Sequence, residues 1–387
     1  MLTVKHTHSQ LLLPLVTLLL PISAYTAEWS VNGSLNPAIS YDDNVFMSEN
    51  EQGSVKYSAT PTLNLSRAQD DNRQTFSIGY VGQRYTSFSY LNQQYPFARL
   101  SSSFDAERSS WGLDASYVER SSRSLAEEDT GDFTTETTVT TQTIAPSYSY
   151  KLTERDSLSF SASYADTTST TDSEVLSFKS GWSRQFTERL NGGLNLSVTN
   201  YQSTTGLLSS TDDYTYRADT SINYQLSELW KISGNIGVRQ LEAKRTNNNI
   251  TQESSNSGLF FKLSANKKTE LGSLSLGASR SITPSITGDV NTSDRLNVSW
   301  SKRITERLST SFSSSYQETS SATEETSDKR KNLNLSPAIN WSIEPDLGLS
   351  LAYNYRQQKY TASNQDVSSN SLMLTLNYNW DGFSVSR

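Results

Sequence analysis

The sequence predicts one all-β domain, a transmembrane antiparallel β-barrel of about 18 strands, with 16 as the alternative count. Three observations predict it: apolar and polar residues alternate along most of the chain, glutamate-bearing corners recur at a nearly fixed spacing, and tryptophans gather at one end of the predicted strands. A period of two places one row of side chains on each face of a strand. In a closed barrel, one row meets lipid and the other meets water.

The composition is polar, yet it is not that of a disordered chain. Only 34% of the 387 residues are hydrophobic and the net charge is −7, but there are 20 tyrosines, 13 phenylalanines and 7 tryptophans. Disordered chains are poor in aromatic residues. A barrel with a water-filled interior reconciles the two, because only alternate residues need to be apolar.

Residues 1–27 are predicted to be a secretory signal peptide, and residues 28–387 the barrel. Lys5 precedes the apolar run "LLLPLVTLLLPISA", which is too short and too close to the N-terminus for a typical spanning helix. Cleavage is expected after Ala24 or after Ala27, and the sequence does not decide between them. Export of a barrel predicts the bacterial outer membrane as its location.

Strands follow one another along the chain without helical periodicity between them. Leu194, Leu196 and Val198, for example, alternate with polar residues. Strong alternation is found at 158–164, 174–186, 194–199, 214–226, 230–238, 259–265, 274–278, 296–304, 333–343, 347–355 and 372–380. Weaker alternation is found at 29–41, 55–65, 76–85, 97–104, 111–118, 144–152 and 308–316.

The corners between strands are of two kinds that take turns. Short corners such as "FTERLN" and "ITERLS" centre on Glu107, Glu154, Glu188, Glu228, Glu270, Glu306 and Glu344. From Glu154 onward they are 34, 40, 42, 36 and 38 residues apart, which indicates a repeated hairpin unit. Long polar connections are predicted between them at 121–137, 201–213, 243–257 and 318–332. This asymmetry predicts short periplasmic turns and long extracellular loops.

The aromatic residues predict two girdles at the membrane interfaces. Next to the short turns, on the periplasmic side, lie Trp29, Trp111, Trp182, Trp230, Trp300, Trp341 and Trp380. Tyrosines prevail at the opposite end, at Tyr41, Tyr117, Tyr164, Tyr214, Tyr216, Tyr316, Tyr353 and Tyr355. The core of a soluble β-sandwich, the structural alternative, would spread these rings along the strands.

If the apolar row faces lipid, the opposite row lines a lumen that is predominantly basic. Its charged members number 11 basic and 3 acidic residues: Arg99, Asp105, Asp114, Arg120, Lys151, Lys179, Arg217, Asp219, Lys231, Arg239, Lys262, Arg295, Arg303 and Arg356. Rings of Arg and Lys favour anions. The predicted pore-lining basic residues are Arg99, Lys179, Arg217, Arg239, Lys262 and Arg295, and Asp219 is expected to be able to neutralise Arg217. The alternative is that basic residues at strand ends only meet headgroups or lipopolysaccharide phosphates.

The residue types make an enzyme, a cofactor site and a metal site unexpected. There is no cysteine, and the two histidines, His6 and His8, lie in the predicted signal peptide. Ser-His-Asp and Cys-His catalysis and histidine-ligated metals are therefore not expected in the exported chain. No Gly-rich phosphate loop is present. A carboxylate-based hydrolase stays formally open, although no acidic pair stands out, and no nucleic-acid partner is expected.

The stretch "SLNPAISYDDNVFMSEN" at 34–50 and the closing "LNYNWDGFSVSR" resemble the β-barrel porin 2 group of outer-membrane barrels. The resemblance implies a conduit for an extracellular polysaccharide that works with polysaccharide synthesis and export proteins. It supplies no catalytic residues. Gly382 shifts the alternation from Trp380 to Phe383, so a bulge is expected near the barrel seam.

The function predicted from these features is an outer-membrane channel for export of an extracellular polysaccharide or for passage of polar or anionic saccharide solutes. The alternative is a structural or adhesive barrel that acts through its acidic Ser/Thr-rich loops. The expected partners are the lipid bilayer, lipopolysaccharide and the barrel assembly machinery, and the expected state is a monomer. Whether the pore is open or plugged cannot be read from the sequence.

Overall fold

A computed structural model describes most of the chain and omits its N-terminus. The described residues are 27–126, 131–134, 136–206, 209–248, 250–284, 290–322, 329–361 and 365–386. The predicted signal peptide, apart from residue 27, lies outside them. No helix among the described residues is long and apolar enough to cross a bilayer.

The described residues form 18 strands, and the strand count expected from the sequence is confirmed. The first six are β1 (Glu28–Leu35 and Ala38–Asp42), β2 (Ser54–Ala59 and Pro61–Gln69), β3 (Asn72–Tyr85), β4 (Gln93–Asp105), β5 (Ser109–Ser121) and β6 (Thr138–Lys151). The next six are β7 (Asp156–Thr168), β8 (Asp172–Gln185), β9 (Leu190–Thr205), β10 (Ser209–Gln225), β11 (Trp230–Asn247) and β12 (Ile250–Thr269). The last six are β13 (Gly272–Pro284), β14 (Val290–Arg303), β15 (Leu308–Ser321), β16 (Arg330–Glu344), β17 (Leu347–Tyr360) and β18 (Asp366–Ser386). Besides these there are a short helix α1 (Ser122–Ala126) and a 3-10 turn at Ser89–Leu91.

The strands close into a barrel. Each strand is antiparallel to its neighbours along the chain, and β1 pairs with β18, with Glu28 opposite Ser386. The bulge expected at the seam is confirmed: the register shifts there, and Gly382 has a φ of +64°. A Cβ atom at this position would lie 1.7 Å from the carbonyl oxygen of Val31, so only glycine fits.

The recurrent Thr-Glu-Arg corner is explained by its threonine. In the turn between β8 and β9, the Thr187 hydroxyl accepts hydrogen bonds from the backbone N–H groups of Arg189 (3.2 Å) and Leu190 (3.0 Å). The corners at 153–156 and 305–308 repeat this arrangement. The side chain satisfies backbone donors that a tight turn leaves unpaired, so the same residue recurs where the same turn recurs.

The outer surface carries an exposed apolar band. Leu196 and Leu259, for example, are 62% and 59% exposed. The seven tryptophans lie on this outer row, close to the short turns, and the tyrosines from Tyr41 to Tyr355 lie toward the other end. Polar groups in hydrocarbon are costly, so an apolar band around a closed barrel is suited to a bilayer.

The loops predicted at 201–213 and 243–257 are wrong, because strands extend through most of both ranges. The β9–β10 pairing runs as far as Thr205 opposite Ser209, and the β11–β12 pairing as far as Asn247 opposite Ile250. These strand ends extend beyond the apolar band, so their outward-facing side chains meet water instead of lipid. They therefore lack the alternation by which a strand is found in a sequence.

Two groups of segments narrow the long-loop end of the barrel. Residues 43–53, between β1 and β2, pack with α1 and residues 131–134; Met47, Ala126 and Phe133 are buried together against Val367 of β18. We call this group of segments the mouth.

The second constriction forms where the ends of β13, β14 and β15 leave the wall. The β12–β13 pairing stops at Phe261 opposite Arg280, so the first part of β12 is paired with β11 alone. Beyond that point, Ile282 and Val290 are buried against Tyr201 and Leu241, which lie on the inner faces of β9 and β11. We call this the apolar cluster.

Candidate functional site

The inner face of the wall follows directly from the alternation along each strand. In β10, the exposed side chains of Tyr214 and Tyr216 point outward, so Arg217 points inward. The inner row consists mostly of serine, threonine and asparagine, which hydrogen-bond across strands; the hydroxyls of Ser157 and Ser183, for example, are 2.7 Å apart. Such a wall is water-compatible and holds its charged members in a regular array.

Three of the predicted basic residues lie at one level of the wall. Lys179 of β8 is opposite Ser197 of β9, Ser197 is opposite Arg217 of β10, and Arg217 is opposite Arg239 of β11. With strands about 4.8 Å apart, the Cα atoms of Lys179 and Arg217 are about 10 Å apart. We call Lys179, Arg217 and Arg239 the wall cations.

The other three predicted residues are more dispersed. Lys262 of β12 is opposite Asn235, closer to the short turns. Arg295 of β14 donates a hydrogen bond to the side-chain oxygen of Gln317 (2.5 Å). Arg99 of β4 lies over the ring of Phe97, 5.0 Å from its centroid.

Several other members of the predicted inner row lie at strand ends. Lys151 and Arg303 are the last residues of their strands before short turns, and Lys231 is the second residue of its strand after a short turn. This position suits contacts with headgroups as well as it suits a lumen.

Arg217 is held by groups other than the expected carboxylate. Its guanidinium donates to the carbonyl oxygen of Ile282 (2.9 Å) and lies 5.5 Å from the ring centroid of Phe260. Asp219 instead accepts hydrogen bonds from the side-chain amides of Asn195 (2.8 Å) and Asn235 (3.0 Å). Within the described residues, Asp219 forms no ion pair with Arg217, so its charge acts on that guanidinium only at longer range.

Arg239 is the most buried of the wall cations. It is 8% exposed, and its Nε and Nη1 atoms have no hydrogen-bond partner among the described residues. Gly258 on β12 leaves room for the guanidinium, since a Cβ atom there would lie 3.2 Å from Nη2 of Arg239.

A second basic group lies in the mouth, and most of it was not predicted from the sequence. Lys56 on β2 and Arg123 on α1 were missed, whereas Arg356 on β17 was assigned to the inner row. Arg356 forms an ion pair with Asp42 (2.6 Å), and Asp42 also accepts a hydrogen bond from the Ser369 hydroxyl (2.6 Å). Of the two missed residues, Lys56 could have been found from the sequence, because it lies between Val55 and Tyr57 in an alternating strand and therefore belongs to the inner row.

Arg123 connects the two sides of the mouth. Its guanidinium lies 3.8 Å from Glu136, donates to the carbonyl oxygen of Val45 and lies over the ring of Phe46. Burial lowers the pKa of Arg123, and the charge of Glu136 opposes this shift. Arg123 was missed because a position in a long connection gave no sign that the side chain would turn inward.

A cavity of about 330 Å³ lies between these groups. Side chains of the inner rows of β1–β3 and β16–β18 line it, together with Val45, Arg123, Ser124 and Phe133 from the segments of the mouth. The mouth therefore leaves a restricted, charged space at the long-loop end of the lumen.

Closure, the apolar outer band and the two aromatic belts define the class of protein as an outer-membrane β-barrel with bilayer contact around its circumference. No family model matches the chain, and no curated protein matches it. The resemblance to the β-barrel porin 2 group thus stays a prediction.

Solved structures with the same fold include two transporters. The chain is similar to the ferric citrate transporter FecA in its unliganded form, with a TM-score of 0.52 and 11% identity over 88% of this chain and 61% of that chain. It is similar to the FrpB iron transporter from Neisseria meningitidis, with a TM-score of 0.51 and 8% identity over 91% and 81%. OccK2 from Pseudomonas aeruginosa, solved with glucuronate, has a TM-score of 0.49 and 8% identity over 91% and 98%. The chain spans less than two thirds of the FecA chain, and at these identities the likeness concerns the fold alone.

Proposed function

We propose that this barrel is an outer-membrane channel that passes small polar solutes and favours anions. The proposal rests on the wall cations Lys179, Arg217 and Arg239, which lie at the same height in the barrel wall. Among the described residues, none of the three forms an ion pair with a carboxylate. Uncompensated positive charge in a low-dielectric wall raises the local concentration of anions. The mouth and the apolar cluster leave restricted space, which suits small solutes better than a polymer.

Ion selectivity in a planar bilayer tests this proposal. With a potassium chloride gradient across the membrane, the reversal potential should have the sign of an anion-selective pore. Replacing Arg217, Arg239 and Arg295 with serine should move the reversal potential toward zero. Cation preference in the unaltered channel would overturn the proposal.

A matched control removes the same number of charges from the outer row. Lys244, Lys302 and Lys359 are exposed on that face, and replacing them with serine should leave the reversal potential within error of the unaltered value. An equal shift in both variants would mean that surface charge, and not lumen charge, sets the selectivity.

Export of an extracellular polysaccharide is the second candidate function. It is supported by the resemblance at residues 34–50 and by the hydroxyl- and amide-rich inner wall. Deleting the gene should then trap polymer in the periplasm, and the measurement is the ratio of periplasmic to extracellular polymer. An unchanged ratio would leave the small-solute channel as the function.

An adhesive or scaffolding role is the third candidate, based on the acidic Ser/Thr-rich connections. Binding of cells to a surface, compared between the full chain and a variant shortened at 318–330, would detect it. Loss of adhesion with unchanged ion conduction would favour this role.

A further inference from the structure

Arg217 and Arg239 are a pair of like charges directly opposite each other on adjacent strands. Like charges in this arrangement are unfavourable, and they persist where something else compensates them. No carboxylate among the described residues forms an ion pair with either guanidinium. Asp219, the nearest along β10, is bound by two asparagine amides, and Asp213 is opposite Ala243, further toward the long loops.

The burial of Arg239 increases the energetic cost of two adjacent positive charges without an ion-pair partner. A guanidinium keeps its charge at any physiological pH, so it cannot escape desolvation by losing its proton. Arg239 is 8% exposed, and among the described residues it has no ion-pair partner and no hydrogen-bond acceptor for its Nε and Nη1 atoms. An oxyanion that enters from the lumen would supply both.

The surroundings of the pair are arranged as a pocket wall. Phe260 supports one face of the Arg217 guanidinium, and the carbonyl oxygen of Ile282 fixes it from the side of the apolar cluster. Gly258 leaves the space into which Arg239 extends. Leu241, which belongs to the apolar cluster, is the next inward residue after Arg239 on β11, so the pair is covered toward the long loops.

We propose that Arg217 and Arg239 form a saturable binding site for the oxyanion of a small solute, a carboxylate or a phosphate ester, with Lys179 at its rim. Guanidinium groups recognise both oxyanions through paired N–H donors. Ser197, between Lys179 and Arg217, offers a hydroxyl to the neutral part of the solute. The inference rests on the proposed anion-favouring channel and adds one discrete binding site to its lumen.

Equilibrium binding to the full chain in detergent tests the site independently of conduction. Isothermal titration would use glucuronate and glucose 6-phosphate as probes and glucose as the neutral control. At least one anionic probe should bind saturably and glucose should not. Comparing the affinities of the two anionic probes distinguishes a carboxylate site from a phosphate site.

The decisive variant is Arg239→Gln. It should weaken binding of the anionic probe by about tenfold or more, because it removes a charge-assisted hydrogen-bonding partner. Arg99→Gln removes the same lumen charge seven strands away, where the side chain is exposed, and should change the affinity by less than about twofold. Equal weakening in both variants, or no saturable binding to the unaltered chain, would overturn the site.

Arg239→Lys and Arg217→Gln keep the test decisive if Arg239→Gln fails to fold. Each should weaken binding, and unchanged affinity in both would overturn the proposal. Saturable binding in a barrel that does not conduct would sustain the site and reject the channel. Anion-selective conduction without saturable binding would do the reverse.

Discussion

The lumen contains two groups of inward-facing cations whose surroundings are opposite. In the mouth, Arg356 and Arg123 lie beside carboxylates of the same chain, Asp42 at 2.6 Å and Glu136 at 3.8 Å. At the wall, Arg217 and Arg239 have no such partner among the described residues. The same residue type therefore forms ion pairs within the chain in one place and, in the other, has no carboxylate partner among the described residues.

The difference follows from what each cation touches. The mouth cations contact backbone and rings of inward-turned segments: Arg123 donates to the carbonyl oxygen of Val45, and Arg356 lies over Phe133. Removing them should loosen the mouth. Among the described residues, Arg239 of the wall makes no such contact, and its strand is already held by its neighbours, so the fold does not need its charge.

The largest effect is expected from shortening the mouth. Replacing residues 122–137 with a short Gly-Ser connection removes α1 and Phe133, which pack on Met47 and Val367. The cross-section at the long-loop end should increase, and the single-channel conductance in planar bilayers should rise severalfold. Unchanged conductance would mean that the narrowest part lies elsewhere, with the apolar cluster as the next candidate.

Breaking the ion pair of the mouth should destabilise the barrel. Asp42→Ala leaves Arg356 without its carboxylate and removes the acceptor of the Ser369 hydroxyl. Complete burial of an unpaired charge costs about 3–5 kcal/mol, and because both side chains are about one fifth exposed we expect about 2 kcal/mol. The measurement is the free energy of unfolding in urea with lipid vesicles. Adding Arg356→Met should restore part of the loss.

Removing a charge from the wall should change the free energy of unfolding in the opposite direction. Arg239→Met replaces an unpaired buried cation with an apolar side chain of similar length, which should raise the free energy of unfolding by about 1 kcal/mol. The same urea titration measures it. A loss of about 1 kcal/mol or more would indicate that Arg239 supports the fold, and the contrast between mouth and wall would then fail.

The fold was largely predictable from the sequence, because each strand that crosses the bilayer must alternate. The short turns were predictable as well, since Thr187 and its counterparts satisfy the same backbone donors in each repeat. The ends of β9–β12 were not predictable, because strands beyond the bilayer need no apolar row. There, alternation carries no information.

The sequence predicted which face of the wall carries the basic residues of the candidate site, but it did not predict how their side chains are arranged. Alternation gave the face on which Arg217 and Arg239 lie, and it could not give their burial, which depends on the end of β13 leaving the wall so that Ile282 packs across the lumen. It also suggested Asp219 as a counter-charge, whereas the asparagines on both neighbouring strands bind that carboxylate. Contacts between distant strands decide both features, and local patterns do not record them.

The smallest expected effect concerns the space beside Arg239. Gly258→Ala would place a Cβ atom 3.2 Å from Nη2 of Arg239, which must shift by a few tenths of an ångström. The displaced guanidinium should bind the anionic probe about threefold more weakly, a difference of about 0.6 kcal/mol. Gly348→Ala is the control, because its Cβ atom would meet only the carbonyl oxygen of Trp341, at 3.5 Å. If both variants bind alike, the position of Arg239 does not matter for recognition and long-range charge alone accounts for anion preference.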